Sequence, residues 1–92
     1  MSYLLNISFV FDQKTEQQFV LWSKNNSILE NCVLYRVIGT TEGDLTYCAQ
    51  MKVETISEVQ KKTAELHTKI HPALKNDFNE EIIFFMSALE SL

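Results

Sequence analysis

The sequence predicts an α+β fold in which two helices cover one face of a four-stranded antiparallel sheet. Three observations lead to this prediction: strand-like alternation of apolar and polar residues, helix-like repeats of apolar residues, and the order β-α-β-β-α-β of these segments. The 92 residues suffice for one hydrophobic core and are too few for two. We therefore expect a single domain over residues 1–92.

The first predicted strand covers residues 3–11, YLLNISFVF, and alternates with a period of two. Its odd-numbered residues are all aromatic or aliphatic, so they should form the core face. Its even-numbered residues mix apolar and polar side chains and should lie on the other face: Leu4, Asn6, Ser8 and Val10.

The first helix should begin after Asp12, because a carboxylate at this position can cap a helix N-terminus. Phe19, Trp22 and Leu29 recur at helical spacing and predict an apolar stripe, in which Trp22 is a core anchor. The helix should stop at Asn25–Asn26, because asparagine can adopt the left-handed conformation that ends a helix.

The second and third strands should form a hairpin. Residues 32–38, CVLYRVI, are rich in β-branched and aromatic side chains. Residues 45–53, LTYCAQMKV, alternate again, with the odd-numbered residues facing the core. The intervening loop, GTTEGD, contains both glycines of the chain, and Gly43–Asp44 is a turn signal.

The register of this hairpin follows from the choice of core face. If the odd-numbered residues of both strands share the core face, paired residues must have the same parity. We therefore expect Arg36 opposite Cys48 and Leu34 opposite Gln50. The core residues of the second strand are then Val33, Tyr35 and Val37.

The second helix should begin with a capping box formed by Thr55 and Glu58. Its stripe repeats at three-four spacing: Ile56, Val59, Thr63, Leu66 and Ile70. Pro72 should interrupt or kink the helix because it lacks a backbone donor, and helical character can resume through Ala73, Leu74 and Phe78, since proline is acceptable in a first turn. The last strand begins near Glu81, and residues 82–86, IIFFM, are apolar on both parities, which favours burial on both sides; a buried helix is the alternative.

Right-handed crossovers fold these elements into one sheet with both helices on the same face, the ferredoxin-like arrangement with strand order 4-1-3-2. The other face stays uncovered. Besides half of the last strand, it should carry Leu4, Asn6, Ser8, Val10, Leu34, Arg36, Ile38, Thr46, Cys48, Gln50 and Lys52. A purely solvated face should not display so many aliphatic residues, and an apolar edge strand invites aggregation, so we expect a homodimer packed sheet to sheet.

Polar residues near the middle of that face would line a space shared by the two sheets. These candidate ligand-binding residues are Asn6, Ser8, Arg36, Cys48 and Gln50. Buried polar groups need hydrogen-bond partners, which direct contacts between the sheets or a small molecule in a cavity can supply. Arg36 could bind a carboxylate or phosphate there, or cover apolar surface with its stem.

Charge and hydropathy argue against several classes of function. The net charge is −4 and the eight lysines and arginines are scattered, so the basic surface of a nucleic-acid-binding protein is missing. No apolar run approaches the ~20 residues of a membrane span, and the first residues alternate as a strand does, so we expect a cytoplasmic protein. Cys32 and Cys48 should be free thiols, since the expected register places them beyond disulfide reach.

Motifs for catalysis are weak. His67 and His71 have the spacing of two metal ligands, but no third ligand accompanies them, so a solvated helix face is expected. Glu80 and Glu81 should form a charged turn. The sequence contains neither a G-x-S-x-G nucleophile motif nor a glycine loop that opens a helix, and we expect no metal and no cofactor.

Short motifs are spread over nearly the whole chain: Asn6, Leu21–Trp22, Leu34–Val37, the hairpin from Gly43 to Gln50, Pro72 with Leu74, Phe78, and Phe85–Leu92. Together they resemble a family of small bacterial proteins known as domain-of-unknown-function family 4286. The histidine–proline feature that follows the tryptophan helix in that family has no counterpart in KNNSILEN. The resemblance implies a ferredoxin-like, dimeric α+β barrel and brings no known activity.

Three hypotheses of function remain open. The first is a cytoplasmic homodimer whose inter-sheet pocket binds a small organic molecule. The second is a cofactor-free enzyme of the dimeric α+β barrel type, similar to small monooxygenases or isomerases, for which Cys48 and Arg36 are poor general bases. The third is a purely structural or partner-binding dimer.

Overall fold

Strands and helices follow one another in the predicted order. The computed structural model describes residues 2–39 and 43–92, so residues 40–42 of the predicted GTTEGD loop lie outside the described residues. Short 3-10 turns, Gln13–Thr15 and Ser27–Leu29, flank the first helix. The main elements are β1 (Tyr3–Asp12), α1 (Glu16–Asn25), β2 (Val33–Arg36), β3 (Asp44–Val53), α2 (Ile56–Phe78) and β4 (Ile83–Glu90).

The four strands form one antiparallel sheet in the order β2-β3-β1-β4, which confirms the predicted arrangement. β1 and β3 are central and pair over their whole lengths, from Tyr3 opposite Val53 to Asp12 opposite Asp44. β2 and β4 are the edges, and β2 contributes only four residues. The ferredoxin-like fold thus leaves one sheet face without a helix.

The core lies between the helices and the odd-numbered residues of the central strands, as the alternation predicts. Nearly inaccessible side chains come from both layers: Leu5, Ile7, Phe9 and Phe11 of β1, Ala49 and Val53 of β3, Phe19 of α1, and Ile70, Leu74 and Phe78 of α2. The ring of Phe19 lies 5.0 Å from that of Phe9 and 4.8 Å from that of Phe11, centroid to centroid. These aromatic contacts hold α1 on the sheet.

Trp22 packs against this core as predicted and also joins the two helices. Its ring meets Phe78 edge to face at 5.8 Å. Its indole Nε1 donates a hydrogen bond to the Asp77 carboxylate at 2.9 Å, so the polar edge of the ring is satisfied.

The end of α1 differs from the prediction. Asn26 is extended, with φ −114° and ψ 131°, so the expected left-handed stop at Asn25–Asn26 was wrong. The Asn26 side chain accepts a hydrogen bond from the Ile28 N–H at 2.9 Å and caps the following 3-10 turn. That turn carries Leu29 into the core. Asparagine acts here through its side-chain oxygen, which requires extended backbone.

The helix α2 begins at the predicted cap and continues through its proline. Thr55 Oγ1 accepts a hydrogen bond from the Glu58 N–H at 3.1 Å. Of the expectations at Pro72, an interruption was wrong, since one helix runs from Ile56 to Phe78, and the helical character expected for Ala73, Leu74 and Phe78 is confirmed. Buried residues lie on both sides of the proline at four-residue spacing: Leu66, Ile70, Leu74 and Phe78. Their burial outweighs the single backbone hydrogen bond that the proline removes.

Candidate functional site: the open face of the sheet

The sheet face opposite the helices, called here the open face, is built from even-numbered residues of β1 and β3 and odd-numbered residues of β2 and β4. The observed pairing of the strands places these side chains in rows across the sheet. One row contains Val33, Gln50, Asn6 and Ser87, and the next contains Tyr35, Cys48, Ser8 and Phe85. The open face therefore has polar residues at its centre and apolar residues on its edge strands.

Four of the predicted site residues lie together at that centre. Gln50 Nε2 donates to Asn6 Oδ1 at 2.9 Å, and Asn6 Nδ2 donates to Ser8 Oγ at 3.1 Å. Ser8 Oγ and Cys48 Sγ are 3.6 Å apart, within hydrogen-bond reach. We call Asn6, Ser8, Cys48 and Gln50 the polar cluster.

The polar cluster is held in place by the two longest strands and by its own hydrogen bonds. Ser8 is only 7% exposed, although no helix of the described residues covers this face of the sheet. Gln50 Oε1 and the second hydrogens of the Asn6 and Gln50 amides take no part in these bonds. The cluster can therefore present amide donors and an acceptor, together with a thiol, to whatever lies above the sheet.

Apolar side chains on both edge strands, called here the apolar border, flank the polar cluster. They are Val33 and Tyr35 on β2 and Ile83, Phe85 and Leu89 on β4, and each is at least half exposed in the single chain. The expected burial of the last strand on both sides is therefore wrong for one chain: Phe84 and Met86 face the core, while Ile83 and Phe85 are 67% and 55% exposed. This much exposed apolar surface on one sheet face is typical of an interaction site.

Arg36, the fifth predicted site residue, lies on the other face. The expected pairing was wrong by one position, because Tyr35 pairs with Cys48 and Arg36 pairs with Tyr47. This shift turns every side chain of β2 to the opposite side of the sheet. Arg36 Nε contacts Glu16 Oε2 at 2.9 Å beneath α1, and Leu34 packs against the core.

Tyr35 lies beside the polar cluster, at the position predicted for Arg36. Its ring is half exposed on the open face, next to Cys48. Apart from Arg36, the segment CVLYRVI is apolar on both parities, so its hydrophobic pattern distinguishes the two registers only weakly. The contact between Arg36 and Glu16 joins residues that are distant in sequence and is visible only in the folded chain.

Two groups on the helix side of the sheet, Tyr47 and Cys32, have raised pKa values. Burial raises the pKa of Tyr47. The Glu16 carboxylate, which accepts a hydrogen bond from the Tyr47 hydroxyl at 2.7 Å, raises this pKa further. Burial also raises the pKa of the Cys32 thiol, which packs against the core. Cys32 and Cys48 are both free thiols and lie on opposite faces of the sheet.

The remaining candidates for chemistry are far from the polar cluster. His67 and His71 stack with ring centroids 5.9 Å apart, and the His67 ring lies 5.4 Å from Phe84 at the helix-covered side of β4. Within residues 2–39 and 43–92, no three histidine, cysteine or acidic side chains come together as a metal site would require. Glu80 and Glu81 precede β4 in a turn, as predicted, and Glu81 accepts a 3.5 Å hydrogen bond from Thr15.

The family of the chain follows from comparison with known proteins. A family model described as Domain of unknown function (DUF4286) matches residues 2–92. The chain belongs to this family. The resemblance drawn from short motifs is thereby confirmed, and a comparison with curated proteins finds no match.

Solved structures share the fold of this DUF4286 chain at low sequence identity. A dimeric ferredoxin-like protein from an uncultured marine organism has a TM-score of 0.70 at 10% identity, covering 99% of this chain and 96% of that one. A NIPSNAP-like domain protein from Burkholderia xenovorans has a TM-score of 0.60 at 7% identity, covering 97% and 85%. The de novo designed protein Foldit4 has a TM-score of 0.53 at 6% identity, covering both chains completely. These likenesses show the ferredoxin-like fold alone.

Neither helix of the described residues is long and apolar enough to cross a membrane.

Proposed function

We propose that two copies of this chain pack their open faces together, and that the space enclosed around the polar cluster binds a small organic molecule. The observation that carries the proposal is the apolar border, whose five side chains are at least half exposed in one chain. Covering them with a second copy removes them from water. The ferredoxin-like protein from the uncultured marine organism is described as dimeric, which supports a dimer but not a particular arrangement of the two copies.

The open face is large enough for a dimer of modest stability. Four strands about 4.8 Å apart and about eight residues long give a footprint of roughly 500 Å² per copy. Two copies would then bury roughly 1,000 Å², near the lower end of specific protein interfaces. We therefore expect a dimer that dissociates on dilution.

The enclosed space would be lined differently at its centre and at its sides. At the centre, the polar cluster supplies the unused side-chain amide hydrogens, the side-chain oxygen Oε1 of Gln50 and the Cys48 thiol. Tyr35 and Phe85 supply aromatic surface beside it. A small ligand pocket combines these same features: mostly apolar walls and a few convergent polar groups. The proposed ligand is a compact organic molecule with an uncharged polar group, since Arg36 lies on the other side of the sheet.

A purely structural dimer is the second candidate, and one observation favours it. The polar cluster already satisfies part of its hydrogen-bonding capacity internally, and no buried side-chain nitrogen or oxygen in residues 2–39 and 43–92 lacks a partner. Two such clusters could pack directly against each other without a ligand.

The proposal is tested first by the mass of the protein in solution. Replacing the half-exposed Phe85 by Ser should weaken the dimer by at least tenfold, measured by sedimentation velocity across a dilution series. The matched control is Ile56→Ser, because Ile56 is 59% exposed but lies on α2, away from the open face. A wild-type protein that stays monomeric at high concentration contradicts the proposal.

Ligand binding is tested on the same preparation. Native mass spectrometry of the dimer should show a bound mass beyond two chains, or a crystal structure of the dimer should show density above the polar cluster. Gln50→Leu should remove the bound mass and keep the dimer, because it deletes the half-buried amide and adds apolar surface. A dimer whose polar clusters pack directly, with no cavity between them, supports the structural candidate instead.

A further inference from the structure

The open face carries opposite charges at its two ends. Asp12 and Asp44 are paired residues of β1 and β3, have the parity of Val10 and Thr46, and are both exposed. Lys52 is exposed at the far end of β3, with the same parity. One end of the face is therefore acidic and the other basic.

Asp12 Oδ1 accepts a hydrogen bond from the Lys14 N–H at 3.0 Å, but none of the three charges forms an ion pair within residues 2–39 and 43–92. Asp44 and Lys52 are eight positions apart on β3, a distance of about 27 Å at roughly 3.4 Å per residue. That distance exceeds the Debye length of about 8 Å at physiological salt, so the two ends do not neutralise each other. In the described residues the ion pairs are Arg36–Glu16 and Lys62–Glu65, and neither involves the three charges of the open face.

The spacing of the charges is symmetric about the polar cluster. Asp44 and Lys52 lie four positions on either side of Cys48, and Asp12 lies four positions beyond Ser8. Ser8 and Cys48 are paired residues, so they define one row across the two central strands. A two-fold axis that runs along this row exchanges the acidic end of one sheet with the basic end of the other.

We propose that the two copies are related by such an axis, so that Asp12 and Asp44 lie against the partner's Lys52 at both ends of the interface. The inference rests on the sheet-to-sheet dimer proposed above. An axis parallel to the strands would instead place Lys52 over the partner's Lys52 and the aspartates over aspartates. Like charges across an interface are unfavourable, so the charge pattern selects the axis across the strands.

This orientation also determines the composition of the enclosed site. Residues of the central row lie nearest the axis, so Cys48 faces the partner's Cys48 and Ser8 faces the partner's Ser8. Packed sheets are about 10 Å apart, which brings the two polar clusters together into one site. The site is complete only in the dimer, is two-fold symmetric, and has its charges at the rims rather than at the centre. Its ligand is accordingly an uncharged molecule held by amide, hydroxyl and thiol groups from both copies.

The decisive variant neutralises the basic end. Lys52→Gln should weaken dimerisation about 3- to 30-fold at low salt, because it removes two equivalent exposed ion pairs. For an axis parallel to the strands, the same substitution relieves repulsion and strengthens the dimer. The matched control is Lys69→Gln on the exposed side of α2, which should leave the dimer dissociation constant unchanged.

Charge exchange and cross-linking complete the test. Asp44→Lys alone should weaken the dimer, because it brings a lysine against the partner's Lys52. Adding Lys52→Asp should restore part of the lost affinity, since the new aspartate then faces the new lysine and also the unchanged Asp12. A water-soluble carbodiimide should form an amide between the Lys52 amine and the Asp12 or Asp44 carboxylate, and mixed isotopically labelled dimers should show the bond between different copies.

The possible outcomes separate the two proposals. A monomeric wild type overturns both of them. A stable dimer that Lys52→Gln leaves unchanged or strengthens, or whose cross-links do not join Lys52 to either aspartate, overturns the orientation and leaves the sheet-to-sheet dimer standing.

Discussion

Glu16 contacts two strands through one carboxylate oxygen. Its Oε2 accepts a hydrogen bond from the Tyr47 hydroxyl at 2.7 Å and contacts Arg36 Nε at 2.9 Å. Tyr47 is 8% exposed as a whole residue, and the Glu16 carboxylate is the hydrogen-bond partner of its hydroxyl. The three side chains tie the start of α1 to both β2 and β3, and they hold Arg36 away from the open face.

The raised pKa of Tyr47 predicts that the folded chain loses stability at high pH. Its pKa is raised by burial and by Glu16, so the folded chain keeps the phenol protonated to higher pH than the unfolded chain does. The resulting stabilisation is present below the ordinary phenol pKa near 10 and is lost as the pH rises through the raised value. Tyr47→Phe should lower the free energy of unfolding by about 1–2 kcal/mol near neutral pH.

The difference between wild type and Tyr47→Phe should shrink above about pH 10, measured by urea unfolding at a series of pH values. Tyr35→Phe is the control, because Tyr35 is half exposed and its replacement removes no phenol from the core. A difference that stays constant through the alkaline range would contradict the role assigned to Tyr47.

The register of a strand was predictable where its apolar residues share one parity, as in β1 and β3. The register of β2 was not predictable in this way. β1 and β3 alternate so clearly that a single register buries their apolar residues, and both core faces were predicted correctly. β2 is short and has apolar residues on both parities, so either register buries at least one apolar side chain. In the observed register Leu34 packs against the core and Arg36 forms an ion pair with Glu16, and both contacts join residues that are distant in sequence.

A matched pair of substitutions tests the β2 register. Leu34→Ser should lower the free energy of unfolding by about 1–3 kcal/mol, because it removes a side chain that packs against the core. Tyr35→Ser should leave the stability of the dissociated chain nearly unchanged, since its ring is half exposed in one chain. Urea unfolding at concentrations below the dimer dissociation constant measures both. The register is contradicted if Tyr35→Ser is the more destabilising change.

The whole molecule has a small core and one uncovered sheet face, so its stability should depend on its concentration. Folding of a proposed dimer is linked by mass action to association. The thermal midpoint should rise by about 2–5 °C for each tenfold increase in protein concentration, given typical unfolding enthalpies for two chains of this length. Differential scanning calorimetry measures this shift.

The Phe85→Ser variant provides the reference, because a weaker interface should give it a lower midpoint than the wild type at the same protein concentration. A wild-type midpoint that stays constant over a hundredfold concentration range would mean that the open face is not covered by a second copy.

The candidate site was predictable only in part. Asn6, Ser8, Cys48 and Gln50 sit on the even parity of two long alternating strands, and antiparallel pairing of those strands brings all four together. Tyr35 lies on the open face where Arg36 was expected, because apolar residues occur on both parities of β2 and its pattern does not determine the register. The hydrogen bonds within the polar cluster depend on side-chain directions that alternation alone does not specify.

Local periodicity by itself determined the order of the elements, the core faces of the central strands and the polar row at the middle of the sheet. Periodicity suffices there because the burial of each residue follows from its neighbours two or four positions away. Tertiary structure decided which side chains of β2 lie on the open face, the continuity of α2 through Pro72 and the extended backbone conformation of Asn26. For β2 and α2, local preference was weak or unfavourable, and packing against distant residues supplied the larger free energy; at Asn26, a side-chain cap took the place of the expected left-handed turn.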